Sequence, residues 1–439
     1  MGSSSRKCKV NINRTESEEL IGPHIKKLSP AIFKDDSLTV GGEVKSKGEV
    51  LLQHLQNRCR PANTSCRIES FGIICNSFDD RRKRWVREMG FGGLLEIGGN
   101  MNLPRQLAYW LMTRVDPFNC TLTAQDGRVY RLSQNQVHWV LGIPNGGLPV
   151  PTYQTIDNVA LQKVNRIMDR YGKIWSSKCS RTGREYIFEG IQVNADLIAS
   201  VEGEWEEDQA EEFKTVFLLL SLEMLLCPNK SSRLASDLVP LLTCAARAAD
   251  YDWCSLVLQK LMCSVAMFAR RFYSVRFASG CAGCLIFMVV LYLDRLNRHP
   301  VHWGYFPRLE VWNMEEIRLA ISEDRIPNGG DFGQLGTLDV AYGETHPTEA
   351  RVSNGPGGST ERSCCVSVCF RSKTTRMRKP KLKKVYGKPT ADMSGKVHCA
   401  DKKAIIVSGN NNIGAFSNFD MIRLRMDVMK SYMMLLCNC

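Results

Sequence analysis

Residues 133–147 read SQNQVHWVLGIPNGG, and this stretch predicts a short helix that ends at a glycine. Ser133 and, three residues later, Gln136 form a capping box, which satisfies the free backbone donors where a helix begins. Gly142 then stands where a left-handed C-cap residue is needed, and Pro144 prevents the helix from continuing. The local pattern therefore favours a helical fold at this point of the chain.

The two glycines that close the stretch do not predict a phosphate site. They follow a helix, so no helix N-terminus directs its backbone amides towards an anion. The sequence here also lacks the lysine of GxxxxGK[ST] and the spacing of GxGxxG. Asn145 and Gly146 are typical of a turn with positive φ, and we interpret the loop as a change of chain direction.

Apolar residues recur at helical spacing in further segments. The predicted helices cover about 104–115, 201–228, 233–247, 251–272, 281–296 and 313–322. Two short alternating runs flank Asp126-Gly127, a pair that favours the tight turn of a β-hairpin. The sequence therefore predicts a mainly α fold, a multi-helix globular domain with a small β-hairpin near 120–132, flanked by disordered basic tails.

The positive charge of the chain lies at its two ends. The formal net charge is +13 over 439 residues, with +6 in residues 1–84, +8 in 326–439 and close to zero in 85–325. The ends are also rich in Gly, Pro, Asn and Ser, as linkers are. We predict a largely disordered basic lead at 1–84 with a short helix near 48–57, a helical domain at 85–325, and a disordered linker and basic tail at 326–439.

The cysteine content and the apolar runs predict neither export nor a membrane span. The first residues, MGSSSRKCKVNINR, contain no apolar signal segment, so we expect the 18 cysteines to be reduced and mostly buried. The run CAGCLIFMVVLYL (281–293) is only 13 residues long, whereas a span needs about 20. We predict a buried core helix there and no membrane association.

Two groups of cysteines have the residue types of a metal or redox site. Cys281 and Cys284 form a CxxC, which can be redox-active or half of a zinc site, but the motif leads into a very apolar helix and favours core packing. The second group matches no metal-ligand spacing known to us, and it consists of Cys364, Cys365, Cys369, His398 and Cys399. We predict no metal and no cofactor.

Acidic residues and histidines supply the remaining candidates for chemistry. The run at 204–212 has the oxygen ligands of a hard cation, yet no glycine-containing loop presents it, so we expect a solvated helix start. His138 and His302 each precede a tryptophan, without a recognisable serine or cysteine nucleophile beside them. We predict two packed or hydrogen-bonded structural histidines and no catalytic residue.

The basic segment RSKTTRMRKPKLKKVYGKP (371–389) has nine Lys and Arg residues and no acidic one. Such clusters bind nuclear import receptors or nucleic-acid phosphates. The candidate residues are Arg376, Arg378, Lys379, Lys381, Lys383 and Lys384. They predict a nuclear location, with the cytoplasm as the alternative, and leave nucleic acid open as a partner of the basic flanks.

Several stretches resemble one known family when they are taken together and in order. They include GFGGLLEIGGNMNLPRQLAYWL and HWGYFPRLEVW, and they cover 90–111, 116–147, 217–242, 251–261, 283–295 and 302–312. Their order and spacing resemble the plant mobile domain, also called the aminotransferase-like plant mobile domain, of plant transposon-derived proteins. The resemblance covers about residues 85–325.

This resemblance implies a plant source, a mostly helical domain and an origin in mobile elements. Members of the family are often joined to a ubiquitin-like protease domain, whose nucleophile lies in an Asp-Cys-Gly setting that this sequence lacks. No lysine lies in a setting typical of a pyridoxal phosphate Schiff base. We therefore expect a non-enzymatic nuclear interaction module of plant mobile domain type, with a protein partner that the sequence does not identify.

Two alternatives remain open at this point. The protein is a truncated relative of the ubiquitin-like protease family, the SUMO-type cysteine peptidases, without the catalytic domain, or it binds nucleic acid through its basic tails. The first alternative predicts no peptidase activity of its own. The second predicts an affinity that falls steeply with salt.

Overall fold

Most of the observed helices lie close to the predicted ones. In a computed structural model, the structure describes residues 30–56, 66–178, 185–229, 233–275, 281–302, 304–327 and 329–338. Its α-helices are α1 (Lys47–Gln56), α2 (Ile68–Asn76), α3 (Asp80–Glu88), α4 (Arg105–Met112), α5 (Gln134–Leu141), α6 (Asn158–Tyr171), α7 (Ala195–Glu202), α8 (Ala210–Ser221), α9 (Trp253–Val275), α10 (Leu285–Leu293) and α11 (Met314–Asp324). The 3₁₀ and π segments are Pro30–Phe33, Gly92–Glu96, Glu207–Gln209, Leu222–Leu226, Ser236–Asp250 and Arg308–Glu310. The fold is mainly helical, as predicted.

Helix α5 begins and ends where its sequence predicts. The backbone N–H of Ser133 donates to Oε1 of Gln136 at 3.1 Å. Gly142 has φ 63° and ψ 43°, and its N–H donates to the carbonyl of His138 at 2.7 Å. A Cβ on Gly142 would lie 2.8 Å from Cγ of Pro307. Glycine is therefore required here both for the left-handed backbone and for the close approach of Pro307.

The predicted β-hairpin is present and belongs to a three-stranded antiparallel sheet. Strands β4 (Thr121–Thr123) and β5 (Val129–Arg131) pair with Leu122 opposite Tyr130. A third strand, β3 (Val115–Asp116), pairs with β4 on its other side. Because β3 has only two residues, it carries no alternation that a sequence pattern could reveal.

The core lies around α8, α9 and α10. All nine residues of α10 are buried, which confirms the prediction of a core helix for the 281–293 run. Phe213 and Phe217 of α8 contact each other, and Phe217 also contacts Phe71 of α2. Among the helices that the structure describes, none is both long and apolar enough to cross a membrane. Each large apolar side chain buried here contributes about 1.5–3 kcal/mol.

The single helix predicted for 201–228 is not observed. Helix α7 ends before Gly203, and α8 begins only at Ala210. Between them, Nε1 of Trp205 donates to the carbonyl of Ser200 at 3.1 Å, so the chain folds back on α7. The N–H of Glu206 then donates to Oε1 of Gln209 at 2.9 Å and starts a new helical turn. These tertiary contacts interrupt a segment whose periodicity alone favours a continuous helix.

Residues 151–200, to which the sequence analysis assigned no elements, contain α6 and a long hairpin. Strands β6 (Gly172–Lys178) and β7 (Glu185–Ile191) pair antiparallel. Their register runs from Gly172 opposite Ile191 to Lys178 opposite Glu185. This hairpin forms a two-stranded sheet, and of the described helices it contacts mainly α6.

The domain starts earlier in the chain than residue 85, and the prediction of a largely disordered lead is wrong for 30–56 and 66–84. The short helix predicted near 48–57 is α1. It follows a hairpin of β1 (Ser37–Val40) and β2 (Glu43–Ser46), and α2 and most of α3 also precede residue 85. Phe33 and Phe71 are fully buried. The mean polarity of the segment concealed these apolar anchors, because they are few and widely spaced.

The domain also continues past residue 325, the predicted end. Residues 329–338 pack on the helices, and Phe332 is fully buried against Trp110. This segment is rich in glycine because it makes close backbone contacts with the rest of the domain. Residues 1–29 and 339–439, the remaining parts of the predicted tails, lie outside the described residues.

Candidate interaction surface

The CxxC motif belongs to the core. Cys281 and Cys284 are buried and form no disulfide, and the N–H of Gly283 between them donates to the carbonyl of Pro228. Burial raises the pKa of the Cys284 thiol well above its ordinary value. No cluster of metal-ligating side chains occurs in the described ranges. The second cysteine group, at 364–399, lies outside them.

The acidic run at 204–212 forms ion pairs with basic residues of neighbouring helices, whereas the sequence predicted that water alone would solvate it. Glu207 accepts hydrogen bonds from Nη2 of Arg84 at 2.6 and 2.8 Å. Glu211 pairs with Lys163 of α6, and this hydrogen bond and charge lower the pKa of Glu211. The run therefore links α8 to α3 and α6.

The six nuclear-import candidates, Arg376 to Lys384, lie outside the described residues.

The two histidine-containing motifs of the sequence meet on one face of the fold. The ring centroids of Trp139 on α5 and Phe306 lie 5.5 Å apart in an edge-to-face contact. The His138 ring lies 4.9 Å from Trp139, and the His302 ring lies 6.4 Å from that of Tyr305. We call His138, Trp139, His302, Tyr305 and Phe306 the aromatic patch.

The hydrogen bonding predicted for His138 is observed. Its Nδ1 lies 2.7 Å from the carbonyl oxygen of Ile143, just beyond the glycine that ends α5. The bond fixes the end of the helix and the direction of the imidazole. Trp139 next to it is half-buried and keeps part of its ring at the surface.

Arg308 holds the loop that carries the other half of the patch. Its guanidinium is fully buried and pairs with the buried carboxylate of Asp294 at 2.8 Å. Nη1 donates to the carbonyl oxygens of His302 (3.1 Å) and Tyr305 (3.2 Å), and Nη2 donates to that of Val301 (2.7 Å). Nε donates to the carboxylate of Asp294, so all five N–H donors of the arginine have acceptors.

The same bonds impose an unusual backbone at His302. This residue has φ 36°, a value that few residues other than glycine adopt. His302 is exposed, and 61% of Tyr305 is open to solvent. Strain of this kind persists only where the surrounding structure enforces it, and it clusters at functional sites. The loop therefore presents two exposed rings on a rigid support.

Two further charged residues, Lys47 and Arg114, are fully buried and hold the first described segment on the rest of the domain. Nζ of Lys47 donates to the carbonyls of Phe33 and Thr113 at 3.1 and 3.3 Å. Nη1 of Arg114 lies 2.7 Å from Oδ1 of Asp36. These contacts join the first described segment to α4 and β3. Because Lys47 and Arg114 have no exposed surface, we assign them to structure.

Lys47 predicts an unusual pH dependence of stability. Burial, and then the nearby Arg114, lower its pKa from 10.5 to about 8. Between these values the unfolded chain holds a proton that the folded chain has released, so the free energy of unfolding rises with pH. We expect the wild type to gain up to about 1.4 kcal/mol per pH unit over Lys47→Met in this window. Urea titrations from pH 7.5 to 10.5 measure the free energy of unfolding of both proteins. The prediction is contradicted if the two free energies change in parallel with pH. Lys45→Met is the matched control.

Comparison with known proteins places this fold in a family. Residues 64–289 match the family described as Domain of unknown function (DUF8566). The protein belongs to this family. No match was found among curated proteins or among solved structures.

The DUF8566 match covers His138 and Trp139 of the aromatic patch and the two hairpins after α4. It begins two residues before Cys66 and ends within α10. Phe306 and Phe332 lie beyond the matched range, although they contact Trp139 and Trp110 within it. In this member of DUF8566, the folded unit is therefore larger than the region that the family match defines.

The residues that organise the patch were not singled out by the sequence analysis. Asp294 directly follows the apolar run 281–293, and Arg308 appeared only as part of HWGYFPRLEVW. A charged residue directly after a buried helix was the available signal for Asp294. Its partner is 14 residues away across an irregular loop, at a separation that no helical or strand period relates.

Proposed function

We propose that this DUF8566 protein is a non-enzymatic interaction module that binds a partner protein through the aromatic patch. The observation that carries the proposal is the exposure of Tyr305, 61% open to solvent, on a loop whose backbone carbonyls accept three hydrogen bonds from the buried Arg308. The proposal is that this rigid support serves recognition.

The physical properties of the patch support this role. Aromatic residues bury large areas and dominate binding energy at protein interfaces. Trp139 and Phe306 already contact each other, and His302 and Tyr305 extend the surface beside them. A preorganised loop loses little conformational entropy on binding, so more of the contact energy remains as affinity.

The state of the cysteines supports the non-enzymatic part of the proposal. Burial raises the pKa of Cys66 and of Cys244 to about 12, and it raises that of Cys254 further. The thiolate is the nucleophilic form of cysteine, and these thiols stay protonated near neutral pH. Among the described residues they are therefore poor candidates for a peptidase nucleophile.

Site-specific crosslinking tests the patch. Tyr305 is replaced by the photoreactive p-benzoylphenylalanine in the full chain, and the matched control carries it at Leu319 of α11, which is 50% exposed. In extract of the cells that express the protein, we expect discrete adducts from position 305. Unlabelled wild type should compete for them about tenfold better than Tyr305→Ala. Equal adducts from both positions, or equal competition by both proteins, would contradict the proposal.

The proposal includes a nuclear location and a relation to the plant mobile domain. The nine basic residues of 371–389 support nuclear import, and the ordered motifs between 90 and 312 support the relation to transposon-derived proteins. A variant with alanine at Lys379, Lys381, Lys383 and Lys384 should spread a fused reporter through the cell. A reporter that stays nuclear would contradict import through this segment.

Nucleic-acid binding through the flanks is the second candidate, favoured by the net charge of +8 in 326–439. Binding of this kind weakens steeply with salt and requires the basic residues. Deletion of 345–439 should then remove most of the affinity. Retained, salt-insensitive binding would exclude the flanks as its source.

A further inference from the structure

Two exposed glutamates, Glu96 and Glu310, lie beside the aromatic patch, and each ends a short 3₁₀ segment. The two segments meet at Pro307, the residue after Phe306. A Cβ added to Gly93 would lie only 2.9 Å from Cγ of Pro307, and the N–H of Glu310 donates to the carbonyl of Pro307 at 3.0 Å. Each glutamate is therefore one 3₁₀ turn along the chain from this contact.

The two glutamates act on each other and have no direct counter-ion in the part of the chain that the structure describes. Partial burial, and then the charge of Glu310, raise the pKa of Glu96. Arg87 and Lys83 of α3 lower it, each with a smaller effect than Glu310. Neither glutamate takes part in an ion pair with a described basic side chain. Both carboxylates are therefore available to a cation from outside the domain.

The exposed rings of the patch favour the same kind of partner. The face of an aromatic ring carries partial negative charge and attracts lysine or arginine. Tyr305 is 61% exposed and Trp139 is half-buried, so both present ring surface to a ligand. The cation beneath the patch, Arg308, is neutralised by Asp294 at 2.8 Å. The patch therefore combines apolar area with a negative border.

We infer that the aromatic patch binds a segment of a partner protein in which lysine or arginine lies next to an apolar residue. The inference rests on the function proposed above and names the chemistry of the partner. The apolar side chain packs on Trp139 and Tyr305, and the cationic side chain lies between the tyrosine ring and the carboxylates of Glu96 and Glu310. Charge complementarity of this kind contributes mainly to specificity, because an acidic segment would be repelled.

Selection from a random dodecapeptide display library tests the inference on the full chain. The immobilised proteins are wild type, Tyr305→Ala and Glu96→Lys/Glu310→Lys. We expect the peptides that wild type retains and Tyr305→Ala loses to be enriched in lysine and arginine. The charge-reversed variant should select acidic residues at the same positions. Glu202→Lys/Glu204→Lys is the matched control, because both of its glutamates are exposed and unpaired among the described residues, and it should select as wild type does.

Anisotropy with a fluorescein-labelled peptide from the wild-type selection measures the size of the effect. We expect Glu96→Lys/Glu310→Lys to bind it about tenfold more weakly than wild type. Glutamine in place of the basic residue of the peptide should remove that difference. If the selected peptides depend on Tyr305 but carry no basic residue, or if the reversed variant binds them equally well, the inference is wrong and the proposed function stands. If no selected peptide depends on Tyr305, both are wrong.

Discussion

Asp294→Ala is expected to destabilise the domain by about 3–5 kcal/mol, because it leaves the buried guanidinium of Arg308 without its counter-ion. Oδ1 of Asp294 accepts hydrogen bonds from Nη2 of Arg308 at 2.8 Å and from Nε1 of Trp312 at 2.9 Å. Both donors would become orphaned in a site with almost no exposed surface. Domains are typically stable by about 5–15 kcal/mol, so the change removes a large share. Urea unfolding followed by circular dichroism measures it.

The matched control is a solvent-exposed ion pair on the surface of the same domain. Arg247 and Asp250 are three residues apart and lie 2.7 Å from each other, with 71% and 45% of their side chains exposed. Arg247→Ala should leave the free energy of unfolding almost unchanged, because water screens an exposed ion pair. If Asp294→Ala cost no more than this control, the buried pair would not be what fastens the aromatic loop.

A second substitution at position 294 separates the stability of the domain from the positioning of the aromatic loop. Asp294→Asn keeps one oxygen acceptor for Trp312 and Arg308 but loses the charge and the second acceptor oxygen, so its stability should fall between those of wild type and Asp294→Ala. At a temperature where Asp294→Asn is folded, crosslinking from position 305 should still decrease, because Arg308 no longer holds His302 and Tyr305 as tightly. Unchanged crosslinking in this folded variant would mean that the loop does not need the pair for presentation.

Gly48→Ala is expected to cost about 3 kcal/mol, near the upper end of what overpacking usually costs. A Cβ on Gly48 would lie 2.3 Å from the carbonyl carbon of Gly330 and 2.4 Å from the amide nitrogen of Asp331. Both atoms belong to the backbone and cannot rotate away. The shift would also break the bond from the N–H of Gly48 to Oδ1 of Asp331, which is 3.0 Å long.

Gly329→Ala is the control in the same turn. A Cβ there would meet no heavy atom closer than 3.8 Å, so its stability should stay within about 0.5 kcal/mol of wild type. Thermal unfolding of the three proteins makes the comparison. If Gly48→Ala and Gly329→Ala have the same melting temperature, the start of α1 and the segment around Gly330 do not pack as closely as the structure places them.

Asp331 explains why this closure was not predictable. Its Oδ1 accepts from Gly48 and from Nε1 of Trp110 at 2.9 Å, and its Oδ2 accepts from Ser46. The partners are 221 to 285 residues away in the chain. In the sequence, the surrounding glycines, asparagines and prolines are typical of a linker, because the same small residues also allow backbones to approach closely.

The aromatic patch was predictable in its parts and not as a whole. The end of α5 at Gly142 and the packing of His138 follow from contacts within ten residues, which local patterns report well. The meeting of Trp139 with Phe306 joins residues 167 positions apart, and no period relates them. Sequence analysis therefore located both motifs and left open that they form one surface.

By itself, the sequence determined the helical class, the capped helix at 134–141, the small hairpin and the burial of the 281–293 run. Each depends on periodicity or on a turn residue, and these act between neighbours in the chain. Only the tertiary structure decided the limits of the domain, the break before α8, and the enclosed charges at Lys47 and Asp294. A buried charge is tolerated only where distant parts of the chain bring acceptors or a counter-ion beside it.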